Sequence, residues 1–179
     1  RQRINWGQNL VWNPNDIFNA YSFFDFDYEE RPGSDALRVQ YYTGVASSVE
    51  ATVKAADSWD KVVAAGIWRT NKWNYDFQGF AGKMKEHAVL GGGWAGSIKN
   101  AGFKGEMTWF SEAAGRKAQF ITSSSVDYSF ANSFYVNGSF LFNSSGTSKP
   151  DQSALGAFSL NKLDVRSLSP YRWSVFGQA

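Results

Sequence analysis

Charged side chains gather near the start of the chain. If residues 1–7 are extended, alternation puts Arg1, Arg3 and Asn5 on one face and Gln2, Ile4 and Trp6 on the other. Arg38 falls on the polar face of the next extended run, and the stretch between holds Asp16, Asp25, Asp27, Glu29, Glu30 and Asp35 with few compensating bases. A wall of arginines facing those acids across a gap would set up a transverse field that orients and filters polar solutes. The same groups would also pair and pin the intervening loop, and the two readings are compatible.

Little else in the sequence is equipped for chemistry. His87 is the single imidazole. It stands beside the Lys85-Glu86 turn, and Ser97 lies far along the same strand, roughly 33 Å away at about 3.3 Å per residue. The expected reading is a solvated turn histidine, and no catalytic residue is assigned. Asn13-Pro14-Asn15-Asp16 and Glu30-Arg31-Pro32-Gly33-Ser34-Asp35 carry turn chemistry: Asx side chains bond their own backbone and proline fixes one dihedral. Neither matches the spacing of a calcium loop. Tyr21, Phe23, Phe24, Phe26 and Tyr28 could stack on sugars, although packing is their commoner use.

The composition narrows the classes further. Among 179 residues there is no cysteine and one histidine, which excludes disulfides, thiol nucleophiles, thiolate metal sites and multi-histidine centres. No metal or other cofactor is expected. A formal charge of +2 without a basic cluster gives no footprint for nucleic acid. The 8 Trp, 8 Tyr, 15 Phe and 17 Gly exceed what most domains of this length carry, yet mean hydropathy is −0.39. A membrane helix needs about 20 apolar residues in a row, and the longest apolar stretch is Val62–Trp68. The chain opens on Arg1-Gln2-Arg3 with neither an initiator Met nor a hydrophobic leader, which suggests a removed leader or a piece of something longer.

Period-two alternation dominates. Trp73, Tyr75, Phe77, Gly79 and Ala81 oppose Asn74, Asp76 and Gln78; Phe103, Gly105, Met107 and Trp109 oppose Lys104, Glu106 and Thr108. Leu37, Val39 and Tyr41 oppose Arg38 and Gln40, and similar runs continue through Phe120–Phe130 and Phe134–Phe142. With short turn signals between runs, the sequence reads as about ten strands: residues 1–7, 36–45, 48–56, 61–70, 73–84, 87–98, 103–112, 118–130, 133–143 and 170–179. The two long connections, near 8–35 and 144–169, fall on the same side of such a meander, and the even-numbered connections are all short. Leucines and Val165 in the second connection allow a short helix ended by Pro170.

Two architectures fit the alternation. A soluble sandwich or lipocalin-like barrel points apolar faces inward. A membrane barrel turns them to lipid and lines its lumen with the polar face, with short turns on the periplasmic side and longer loops outside. Three features favour the second: a polar face rich in Ser, Asn, Gln, Gly and Thr; strands near the 9 to 11 residues a tilted span needs; and rings toward strand ends. Those rings are Trp73, Tyr75, Trp109, Tyr128, Phe130, Phe134, Phe142, Tyr171 and Trp173, suited to the two membrane interfaces.

Residues 1–45 add a resemblance. Arg1-Gln2, Trp6-Gly7, Trp12-Asn13-Pro14, Asp16, Glu30-Arg31-Pro32-Gly33 and Asp35-Ala36, followed by Leu37-Arg38 and Gln40-Tyr41-Tyr42, look like a block of Gram-negative porin-like outer-membrane proteins. Beyond residue 45 only the hairpin rhythm and the ring distribution are similar. The resemblance implies an outer-membrane location and an antiparallel up-and-down transmembrane β-barrel, or a segment of a larger one. It would form a single domain over 1–179 with extracellular-side loops near 8–35 and 144–169. The expected activity is passive passage or uptake of small polar solutes, with outer-membrane lipid as partner and Arg1, Arg3, Arg38, Asp25, Asp27, Glu29 and Glu30 at a constriction. The alternatives are a non-transporting structural or assembly subunit contacting other envelope proteins, and a soluble β-barrel or sandwich that binds sugar or lipid.

Overall fold

The computed structural model describes residues 4–19, 35–148 and 165–179. Nine strands form one antiparallel sheet in simple sequence order: β1 (Ala36–Gly44), β2 (Ser47–Lys54), β3 (Val63–Lys72), β4 (Tyr75–Met84), β5 (His87–Ile98), β6 (Ala101–Phe110), β7 (Gln119–Ser129), β8 (Tyr135–Asn143) and β9 (Trp173–Gln178). Each strand pairs with the next, and the sheet is not closed, so β1 and β9 are its edges. Strand and hairpin placement follow the expected meander closely. At the turn between β3 and β4, Trp73 and Asn74 both have positive φ, 55° and 60°, the backbone that a two-residue hairpin matched to strand twist requires. Trp73 is therefore a turn residue and not the first of a strand.

The expected tenth strand, residues 1–7, does not form over its described part. Residues 4–7 make no ladder and belong to an irregular segment, 4–19, lying against one face of the sheet. Their alternation survives, with Ile4 and Trp6 buried and Asn5 exposed. What fails is the inference from an extended segment with one buried side to a paired strand. The turn chemistry of Asn13–Asp16 does appear, closed by Asp16 N–H donating to Asn13 O at 3.2 Å. The short turns at 45–46, 73–74 and 99–100 gather at one end of the sheet with the 130–134 connection. The entry into β1, the connection 55–62 and the two described ends of the 144–172 connection lie at the other. Thr147 and Tyr171 bridge the two ends of that last connection.

The two faces of the sheet are unlike. The covered face carries Ser48, Glu50, Thr52, Gln78, Glu106, Thr108, Gln119, Ser123, Ser125, Asn137, Ser139 and Asn143, all buried. Toward the long-connection end the same face becomes apolar through Val63, Ile67, Phe80, Met84, Val89, Phe110, Ile121 and Leu141. Ile4, Trp6, Val11, Trp12, Ile17 and Phe18 of the irregular segment pack there, joined by Val165 and Leu168. Trp6 meets Phe18 edge-on at 4.9 Å between centroids and Phe80 at 5.5 Å. The open face carries the apolar side chains expected of it: Leu37 is 70% exposed, Val126 49% and Met107 40%, whereas Glu50 and Glu106 are 1% and 0% exposed.

Glycines make room on both faces. A β-carbon on Gly105 would lie 2.2 Å from the Trp94 ring on the open face. On the covered face, one on Gly93 would meet Gln8 Oε1 at 2.9 Å and Asn15 Nδ2 at 3.1 Å. The first glycine lets a large ring lie flat on the neighbouring strand. The second lets the irregular segment approach the sheet backbone.

Candidate functional site

The covered face recognises the irregular segment through side chains and not through a β-ladder. An extended backbone without strand partners must satisfy its N–H and C=O groups elsewhere. Glu106 on β6 accepts three of the N–H groups, polar side chains of the sheet donate to the carbonyls, and a second carboxylate, Glu50 on β2, anchors the Trp6 side chain.

Glu106 is fully buried and accepts three backbone N–H groups: Gln8 and Asn9 (2.8 Å) on Oε1 and Asn15 (3.0 Å) on Oε2. Around it, the Thr108 hydroxyl lies 2.9 Å from Pro14 O and 2.7 Å from Asn15 Oδ1. Ser123 donates to Trp12 O at 3.0 Å, Gln78 to Trp6 O at 2.7 Å and Lys54 to Phe18 O at 3.1 Å. Asn9 bridges Ser123 and Ser125, donating to the first at 2.7 Å and accepting from the second at 2.8 Å.

Glu50 is the second anchor. It accepts from Trp6 Nε1 at 3.0 Å and Thr52 Oγ1 at 3.2 Å on one oxygen, and from Arg38 Nη2 at 2.8 Å and Arg69 Nη1 at 2.7 Å on the other. One buried carboxylate thus ties β1, β2, β3 and the irregular segment together, its charge matched by two partly exposed guanidiniums. Charge-assisted bonds of this kind are roughly twice as strong as neutral ones.

Of the expected constriction residues, Arg38 lies on the covered face as alternation requires, but its partner is Glu50 of the adjacent strand. Arg1, Arg3, Asp25, Asp27, Glu29 and Glu30 lie outside the described residues. Glu50 and Glu106 carry a signal in the sequence that the alternation alone does not single out. Each is the sole acid on the polar face of its strand, flanked by small or apolar residues: Val49 and Ala51, Gly105 and Met107.

His87 is not a solvated turn residue. It is buried at the start of β5, with Nδ1 2.8 Å from Ser111 O and its ring against Arg166 Nη1. The reason is long-range: Arg166 returns across the sheet end, donates from Nε to Gln119 at 2.8 Å and from Nη2 to Lys117 O at 3.0 Å, and lies over the Phe110 ring. His87 packs a joint, and among the described residues its ring nitrogens meet the Ser111 carbonyl and Arg166. Among the described residues no group of three His, Asp or Glu side chains is placed to hold a metal ion.

Comparison with family models, with curated proteins and with solved structures finds no match. Function must therefore be argued from geometry.

The ring residues divide into two groups. Trp73, Tyr75, Tyr128, Phe130 and Phe134 stand near the short-turn end, where Tyr128 meets Phe130 at 4.6 Å and Phe130 meets Phe134 at 5.9 Å. Trp109, Phe142, Tyr171 and Trp173 stand near the long-connection end, where Phe142 meets Trp173 at 4.5 Å. Between the groups, the open face follows the alternation of each strand and carries no Asp, Glu, Lys or Arg. Lys72 and Lys83, at strand ends, are the charged residues on that side of β3 and β4. The charges within the strands, Arg38, Glu50, Lys54, Arg69, Asp76, Lys104, Glu106 and Asp127, fall on the covered side.

Proposed function

We propose that this sheet is wall of a Gram-negative outer-membrane β-barrel that lets small polar solutes cross passively in the manner of a porin. The observation that carries the reading is the inverted distribution of side chains. A water-exposed sheet face ordinarily carries charge, whereas this open face is uncharged between two rows of rings and the buried face holds the carboxylates and guanidiniums. Lipid is the solvent that makes such an arrangement favourable, since the hydrocarbon core disfavours charge and the interfaces favour Trp and Tyr. Strands β3 to β8 run nine to twelve residues, against about 9 to 11 for a tilted span. No helix among the described residues is long and apolar enough to cross a membrane.

A non-transporting envelope subunit is the second reading. It is favoured by one observation: residues 4–19 fill part of the covered face with an apolar cluster. Conductance after reconstitution into planar bilayers separates the two. Passage predicts stepwise ion currents; a purified, correctly folded protein that inserts without conducting would overturn it in favour of the subunit role.

A further inference from the structure

Resting on the passage reading, we propose that the long-connection end holds an entrance site for small anionic solutes, phosphate-bearing ones above all. A cleft of about 1060 Å³ opens on the covered side between the 111–118 connection and the 144–146 turn. Its described lining includes four bases, Lys85, Arg116, Lys117 and Arg166, and no carboxylate. Among the described residues the lining thus carries one sign of charge, in a chain whose acids and bases are nearly balanced.

The bases are held differently, and Lys85 is exposed at the turn between β4 and β5. Arg166 is buried, and its bonds to Gln119 and the Lys117 carbonyl, with the Phe110 ring beneath it, fix one positive charge in the cleft floor. Arg116 and Lys117 are exposed on the adjoining connection, whose turn is closed by Arg116 N–H donating to Ala113 O at 3.0 Å. They add side chains that can close on a ligand. Ser144 and Ser145 supply short polar groups on the facing turn. Cationic clefts with low-dielectric walls concentrate anions, and guanidinium forks pair two oxygens of a phosphate at once. Rings of Arg and Lys serve the same purpose in anion-conducting pores.

The probe is sodium pyrophosphate, titrated calorimetrically at low salt into the full chain in detergent. The wild type is expected to bind, and the Arg116→Gln, Lys117→Gln double variant to bind at least roughly tenfold more weakly. Lys72→Gln, at the opposite end of the sheet, should bind like wild type. Absence of wild-type binding, or equal binding by the double variant, would overturn the site. Both altered side chains are exposed, and retained heat-modifiable gel mobility verifies folding. Bilayer recording keeps the two ideas apart: binding without conductance retains the entrance site and removes the passage reading, and conductance without binding does the reverse.

Discussion

Glu106→Ala is expected to cost on the order of 3 to 6 kcal/mol of stability and to loosen residues 4–19 from the sheet. The variant leaves the N–H groups of Gln8, Asn9 and Asn15 without their acceptor at a fully buried position. A buried donor stripped of its partner costs about 1 to 3 kcal/mol, and partial relaxation keeps the sum below three full penalties. Glu106→Gln should fall between, because its carbonyl oxygen can still serve Gln8 and Asn9 while its amide faces the Asn15 N–H. Denaturant midpoints in detergent read the stability. Emission from Trp6 and Trp12, the segment's own buried rings, reads the loosening. An unchanged midpoint in Glu106→Ala would mean that the apolar cluster alone holds the segment.

The second large effect concerns the other face. Met107 lies on the open side of β6 between the rings of Phe103 and Trp109, opposite Gly92 on one neighbour and Thr122 on the other. In a bilayer, Met107→Arg should cost roughly 2 to 4 kcal/mol, the penalty for a charge near the midplane of a barrel wall. On a water-facing sheet the same exposed substitution would fall within about 0.5 kcal/mol of neutral. Trp73→Arg, at the 73–74 turn, is the internal control, since an interfacial position tolerates the charge at a cost of about 0 to 1 kcal/mol. Unfolding equilibria measured in lipid vesicles compare the two. Equal effects at both positions would count against lipid on this face.

How far the fold could be read follows from what each signal physically reports. Alternation located β1 to β9 because a strand with unlike faces must show period two, and turn residues marked the breaks. It misleads over residues 4–7, because Ile4, Asn5 and Trp6 alternate in burial without any ladder. Their backbone finds Gln78 and neighbouring side chains instead. The covered face was expected to be polar throughout. Its apolar half, from Val63 to Leu141, exists to receive Trp6, Val11 and Phe18, a pairing between distant segments that no local window contains.

Long-range pairing also decided the polar residues. Arg38 was placed on the correct face from its neighbours, but its partner Glu50 depends on the β1–β2 register. His87 departs from a solvated turn because Arg166, 79 residues away, covers it. Glu50 and Glu106 were legible as solitary acids on otherwise uncharged or basic strand faces. Their roles, Glu106 as acceptor for an unpaired backbone and Glu50 as acceptor for the Trp6 ring N–H, are not legible there, since both require knowing which segment lies on top.

Absence of cysteine from the chain permits one decisive measurement. A nitroxide attached at Met107→Cys, and another at Ala81→Cys on the open side of β4, would be compared in lipid vesicles with one at Asn132→Cys in the short-turn connection. The central claim predicts that the first two labels collide freely with dissolved oxygen and are shielded from a water-soluble nickel chelate, while the third meets the chelate. Open-face labels as accessible to the chelate as the label at position 132 would contradict it and return this sheet to water.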